Sequence, residues 1–147
     1  MCAKYCLFLV ATLIYNSDAN QKTDKEKMQG VWLVEKQDWG KEGNQIADIM
    51  PHFLRLEITG DECTAVLKGS DDATEESHKV TLILDPGHKP PYFDSAVNGK
   101  KTSIKGIYRF DGTDLLVIAY GNKDNYRPKG FDPNTESIWV LTLKRKK

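Results

Sequence analysis

The fold is decided from residue 30 onward, where the chain reads GVWLVEK at positions 30–36, directly after a short polar segment. Trp32 lies near the start of this strand-length run, and Gly30 allows another backbone or ring to approach closely. From there to the C-terminus we count about eight strand-length apolar runs separated by turn residues, with no long helical pattern. Together these runs predict a β-barrel, and the position of Trp32 in the first of them predicts that this tryptophan closes one end of the barrel.

The turns between these runs predict that consecutive strands pair as hairpins. Asn98-Gly99 and Asp111-Gly112 are the strongest signals, because both pairs tolerate the positive φ of a type I′ turn. Hairpins without crossover helices predict an all-β antiparallel meander. A sheet of about eight short strands commonly closes into a barrel, which removes its exposed edges.

Two short helical segments are also predicted. Thr23 can cap a helix in the polar segment before Gly30, with Glu26 three residues later. Residues 45–50 fit a helical turn that Pro51 ends. The prediction is therefore a lipocalin-like barrel of about eight strands with a short N-terminal helix.

Alternating side chains predict which strand faces point inward. On the second strand Leu54, Leu56 and Ile58 share one face, and on the fourth strand the inward phase includes Val80 and Leu82. An eight-stranded barrel is either filled by side chains or just wide enough for one small ligand. Because the chain is rich in large apolar residues, we expect the interior to be filled.

Residues 1–19 differ from the rest of the chain. An almost wholly apolar run at 6–15 is followed by Ser17-Asp18-Ala19, which has the small residues of an A-x-A cleavage site. This pattern predicts a signal peptide at 1–19 and a barrel domain at 20–147, hence a secreted or periplasmic protein. The alternative is a first strand or an N-terminal core helix. The run is too short to span a bilayer, so no transmembrane segment is predicted.

Charge and cysteine content limit the function classes. Twenty-one basic and 21 acidic residues cancel, whereas a nucleic-acid binder usually has a basic excess, so no nucleic-acid partner is expected. Cys63 is the single cysteine after the predicted signal peptide, and its alternating apolar context favours a buried packing role. We expect a monomer of one domain.

Four segments carry a family resemblance through their order and spacing. They are MQGVW at 28–32, LDP at 84–86 with Lys89-Pro90, GIY at 106–108 with DGTDL at 111–115, and LTLKR at 141–145. From about Lys25 to Arg145 the chain resembles the lipocalin group of barrels. It is more closely similar to a family of small secreted bacterial domains, abundant in planctomycetes, that have a lipocalin-like fold and no assigned activity.

The resemblance implies how the barrel closes. In lipocalins the tryptophan of the first strand packs against a basic side chain that follows the last strand. By this resemblance Gly30, Trp32 and Arg145 (or Lys144 in place of Arg145) are structural closure residues. The family brings a fold and leaves the function open.

No catalytic residue, metal site or cofactor is predicted. The three histidines, at 52, 78 and 88, lack the spacing that prepares a metal site, and no G-x-S-x-G nucleophile motif occurs. The acidic stretch at 70–76 favours a solvated hairpin tip, with a loose calcium contact as the alternative.

The loop at 121–136 is long for a compact meander, and such loops are often functional. It places aromatic rings beside basic groups, which can stack on a ring or pair with a carboxylate. The first and last strands are neighbours when a meander closes, so this loop and the loop after the first strand are expected to meet. We define the recognition rim as Trp39, Tyr126, Arg127 and Phe131. The alternative is a lid whose aromatic residues plug the barrel end.

These observations predict an extracytoplasmic binding or interaction module without catalysis. Its partner is expected to be a small apolar or amphipathic ligand, or a protein that docks on the loops. The alternative is a hydrolase-type enzyme that uses charged loop residues at the barrel mouth. A cavity with convergent titratable groups would distinguish the enzyme from the binding module.

Overall fold

The computed structural model describes residues 22–40, 51–69, 74–97, 104–121, 123 and 125–147. Each strand in this part of the chain pairs antiparallel with the next, and the last pairs with the first, which closes the barrel. The predicted all-β meander barrel with a short N-terminal helix is therefore confirmed. Its elements are α1 (Asp24–Met28), β1 (Gly30–Asp38), β2 (Phe53–Thr59), β3 (Glu62–Lys68), β4 (Glu75–Asp85), β5 (Tyr92–Ala96), β6 (Ile104–Asp111), β7 (Leu115–Gly121) and β8 (Ile138–Arg145).

The turns agree with the sequence where they are described. Gly112 has a φ of 76° and lies in the turn between β6 and β7, at the predicted Asp111-Gly112 hairpin. Glu75 and Glu76, expected in a hairpin tip, instead begin β4 because they continue its pairing with β3. The predicted signal peptide, the helical turn at 45–50 and the Asn98-Gly99 turn lie outside the described residues.

The helix α1 lies across one end of the barrel. Its capping box is present: Thr23 N donates to Glu26 Oε2 at 2.7 Å, and Glu26 N donates to Thr23 Oγ1 at 3.3 Å. Met28 packs into the interior cluster, and Tyr108 on β6 donates a hydrogen bond to Asp24 at 3.0 Å. We call this the helix end. The opposite end, where β1 finishes and β2 begins, is the loop end.

A β-bulge changes the inward face of β2. The pairing of β2 with β3 shifts between Phe53 and Arg55, so the alternation is interrupted there. Phe53 consequently lies against the interior with Leu56 and Ile58. The prediction that placed Leu54 on that face is wrong for Leu54. On β4, Val80 and Leu82 pack against the interior cluster, as the alternation predicts.

Among the helices in the described part of the chain, none combines the length and the apolar character needed to cross a bilayer.

Candidate binding site

The barrel contains an apolar cavity of about 330 Å³. Strands β2 to β8 and α1 contribute to its wall, and Met28, Ile58 and Cys63 line it next to the helix end. The volume lies at the lower limit of the range for ligand pockets, ~300–1,000 Å³. The expectation of a filled interior is therefore wrong.

The cavity exists because small side chains occupy inward positions on β3 and β5, the two strands that flank β4. Cys63 and Ala65 face it from β3, and Ser95 faces it from β5. Near the helix-end termini of β1, β7 and β8, the large residues Trp32, Leu116 and Leu143 are fully buried in the interior cluster. The interior is thus packed next to the helix-end termini of β1, β7 and β8 and hollow beside the small residues of β3 and β5.

In the part of the chain that the structure describes, the cavity opens at the loop end of the barrel, between β4 and β6. The side chain of His78 is 63% exposed, and Val97 and Ile104 are about 40% exposed, yet all three line the cavity. These residues lie at the loop-end termini of their strands or within a few residues of them. They form the mouth through which a ligand could enter.

An aromatic series blocks the loop end beside β7 and β8. The ring centroids of Trp39 and Trp139 are 5.1 Å apart, and those of Trp139 and Tyr120 are 5.5 Å apart, both edge to face. Trp39 and Tyr120 are buried. Among the described residues, those that border an opening of the cavity thus lie on the β4–β6 side.

Two buried hydroxyl groups on the cavity wall lack a partner. Ser95 Oγ and Tyr120 OH make no hydrogen bond within the described part of the chain, and their residues are 5% and 8% exposed. A buried polar group left unpaired costs ~1–3 kcal/mol. Burial also raises the pKa of Tyr120, so its hydroxyl is protonated at neutral pH. Ser95 and Tyr120 therefore place two buried hydroxyl groups on the cavity wall with unused hydrogen-bonding capacity.

Sequence reasoning did not single out either hydroxyl. Ser95 follows Phe93 at the next inward position of β5, and Tyr120 stands near the end of an apolar run on β7. The sequence signal for Ser95 is a serine on a strand face that is otherwise apolar. This signal can be recognised only when it is known which residues of β5 point into the barrel.

Burial raises the pKa of the Cys63 thiol to about 12. The thiol is therefore protonated at neutral pH, and a protonated thiol is a poor nucleophile. Cys63 contributes a small apolar surface to the cavity floor, in line with the packing role favoured by the sequence.

The recognition rim divides between two places. Trp39 lies at the loop end, against Trp139, while Tyr126 and Phe131 pack on the outer wall of the barrel. There they cover an apolar cluster that includes Ile107 on β6. The loop between β7 and β8 therefore folds back along the wall. The two loops meet where Gly40 touches Pro133.

Arg127 fastens this loop to the seam between β5 and β6. Its Nη1 donates to the carbonyl oxygens of Phe93 at 3.1 Å and Gly106 at 2.6 Å, and its Nη2 pairs with Asp94. The guanidinium also lies 4.2 Å from the ring centroid of Tyr92. Its hydrogen-bonding groups are thus directed at the barrel rather than at solvent.

Gly30, Trp32 and Arg145 lie together at the helix end. The Arg145 guanidinium lies 4.1 Å from the Trp32 ring centroid and donates to the carbonyl oxygens of Gln29 at 2.7 Å and Lys27 at 2.6 Å. Gly30 has a φ of 112°, and a Cβ there would stand 3.3 Å from Arg145 Nη1. A side chain at position 30 would be strained and would crowd the arginine.

The histidines are spread over separate surroundings. His78 borders the cavity mouth, whereas His88 stacks on Tyr92 with centroids 4.0 Å apart. Within the described ranges, no group of three or more histidine, cysteine or acidic side chains could hold a metal ion.

A comparison of the chain with models of known protein families found no match, and neither did comparisons with curated proteins and with solved structures.

Proposed function

We propose that this protein is an extracytoplasmic binding module that holds a small, mainly apolar ligand inside its barrel and does not act as an enzyme. The observation that carries the proposal is the apolar cavity of about 330 Å³ with a mouth at the loop end. The extracytoplasmic location is supported by the signal-peptide pattern at 1–19.

The cavity volume sets the size of the ligand. At about 30 Å³ for each water molecule, the cavity has room for roughly eleven waters. Because covalently bonded atoms lie closer together than separate water molecules do, the same volume holds a ligand of about 10–20 non-hydrogen atoms. If each atom contributes ~0.5 kcal/mol, a ligand of about eleven atoms binds with roughly 5–6 kcal/mol, a Kd near 0.1 mM. Larger ligands that fill the cavity would bind more tightly.

The chemistry of the wall favours binding over catalysis. Among the described lining residues there is no aspartate, glutamate, lysine or arginine, and His78 stands at the mouth without a second imidazole. The Cys63 and Tyr120 pKa values are raised, so both groups are protonated at neutral pH. General acid–base chemistry needs a titratable group near its working pH within reach of the substrate.

The test uses N-phenyl-1-naphthylamine, a neutral probe whose fluorescence increases in apolar surroundings. The wild-type protein should increase and blue-shift its emission with saturable binding. Ala65→Trp places a large ring inside the cavity and should abolish the signal. Ala96→Trp is the matched control, because Ala96 alternates with Ser95 and faces away from the cavity.

Circular dichroism must show that both variants are folded. If Ala65→Trp does not fold, Val80→Phe provides a second obstruction of the same cavity. Equal binding by the wild type and a folded obstructed variant would place the probe elsewhere and refute the proposal. So would a folded wild-type protein that leaves the emission unchanged.

A further inference from the structure

The unpartnered hydroxyls of Ser95 and Tyr120, which we call the hydroxyl pair, belong to residues that both line the cavity. Ser95 on β5 pairs with Ile104 on β6, and Tyr120 on β7 pairs with Gly106, two residues further along β6. One strand, β6, therefore lies between Ser95 and Tyr120, and their levels along the barrel differ by two residues of that strand. Gly106 has no side chain, and the ring of Phe93 lies over it, where a Cβ would clash with that ring. The Phe93 ring, rather than a side chain of β6, therefore lies beside Tyr120 at that level.

The hydroxyl pair lies towards the loop end of the cavity. Ser95 is one residue from the end of β5 and Tyr120 one residue from the end of β7, both on the side of the mouth. The opposite part of the cavity, beside α1, is lined by Met28, Ile58 and Cys63. A ligand therefore meets polar atoms near the mouth and an apolar wall in the depth.

The charge of the lining restricts the polar group that the pair can accept. A carboxylate or an ammonium ion taken out of water must be paired, and the described lining residues provide no fixed charge to pair it. A hydroxyl can donate one hydrogen bond and accept others. The pair together therefore fits a neutral group that accepts a hydrogen bond, or that both donates and accepts.

We propose that the ligand is a neutral molecule with an apolar body and one hydroxyl or carbonyl group, bound with the body towards α1 and the polar group held by Ser95 and Tyr120. This inference rests on the proposed binding function and adds the chemical class and the orientation of the ligand.

Three probes of one ring system test it by calorimetry at pH 7: naphthalene, 2-naphthol and 2-naphthoate. Naphthalene binding reports on the cavity alone. One net hydrogen bond is worth a factor of about five in affinity, so the wild type should bind 2-naphthol about 5–25-fold more tightly than naphthalene. The naphthoate anion should bind at least ten-fold more weakly than 2-naphthol.

Two variants remove the hydroxyls and little else. Ser95→Ala and Tyr120→Phe should each reduce the preference for 2-naphthol over naphthalene about five-fold, while naphthalene itself should bind no more weakly than it binds to the wild type. Both should be at least as stable as the wild type, because each loses an unpaired buried group. The matched controls are Ser77→Ala and Tyr92→Phe, which alter residues that do not line the cavity and should change neither affinity.

The outcomes separate the two proposals. If naphthalene binds but the preference for 2-naphthol survives in both variants, the assignment of the hydroxyl pair is wrong and the binding function stands. If 2-naphthoate binds most tightly, the claim of a neutral ligand is wrong. If none of the three probes binds the folded wild type, the binding function itself fails and this inference with it.

Discussion

Replacing Trp32 with alanine removes the side chain that closes the helix end, and its cost can be worked from the structure. Trp32 is fully buried, and its Nε1 donates to the Met28 carbonyl at 2.8 Å. A buried tryptophan removes ~150–250 Å² from water, which at ~25 cal/mol per Å² corresponds to about 4–6 kcal/mol. Measured Trp→Ala losses in cores are ~3–5 kcal/mol. We expect Trp32→Ala to lower the free energy of unfolding by ~3–5 kcal/mol.

Urea denaturation followed by far-UV circular dichroism measures this loss. With a slope of ~2 kcal/mol per M, the midpoint should fall by about 1.5–2.5 M. Trp32→Phe keeps a ring but loses the hydrogen bond to Met28 and should cost only ~1–2 kcal/mol. The control is Leu33→Ala at a neighbouring residue that is 40% exposed, and its cost should stay below ~1 kcal/mol. The reasoning is refuted if Trp32→Ala unfolds at the same urea concentration as Leu33→Ala.

Three further results are expected. Arg127→Lys cannot keep both carbonyl contacts at the β5–β6 seam, so it should lower the unfolding free energy by ~1–3 kcal/mol in urea, and an unchanged midpoint would contradict this role. The pKa of the Cys63 thiol is 9 in the unfolded chain and about 12 in the folded protein. Between pH 9 and pH 12 the unfolded state therefore binds fewer protons than the folded state. Because of this difference, the free energy of unfolding falls as the pH rises through that range. In Cys63→Ala the free energy of unfolding should fall less steeply, by about 1.4 kcal/mol per pH unit, than in the wild type. Identical slopes against pH in the two proteins would refute the raised pKa of the folded Cys63 thiol. Chemical-shift mapping with 2-naphthol should perturb the cavity lining, whereas shifts confined to the recognition rim would favour docking on the loops.

The sequence predicted the strands well because their patterns are local. Period-two alternation on β4 and the Asp111-Gly112 turn depend on residues adjacent in the chain, and both agree with the structure. The inward face of β2 was missed at Leu54 because the bulge between Phe53 and Arg55 arises from pairing with another strand. A bulge shifts the alternation without changing any local pattern.

The candidate site was harder to predict because it depends on where non-local segments come together. The hollow arises from small inward residues on two strands, Cys63 and Ala65 on β3 and Ser95 on β5, and none is unusual in its own segment. The loop that carries Arg127 was predicted to be long, but its path along the outer wall follows from contacts with β5 and β6. The composition gives the number of large apolar residues but not where in the barrel they pack. For this reason it could not predict that part of the interior is hollow.

Nuclear Overhauser spectroscopy of the methyl-labelled protein with bound naphthalene tests the central claim, an apolar ligand cavity inside the barrel, most directly. We predict cross-peaks from the naphthalene protons to the methyl groups of Leu56, Ala65 and Val80, which line the cavity. No cross-peak is expected to Val117 or Val140, which belong to the apolar cluster on the outer wall. Cross-peaks confined to those two valines, with the three cavity methyl groups silent, would contradict the account.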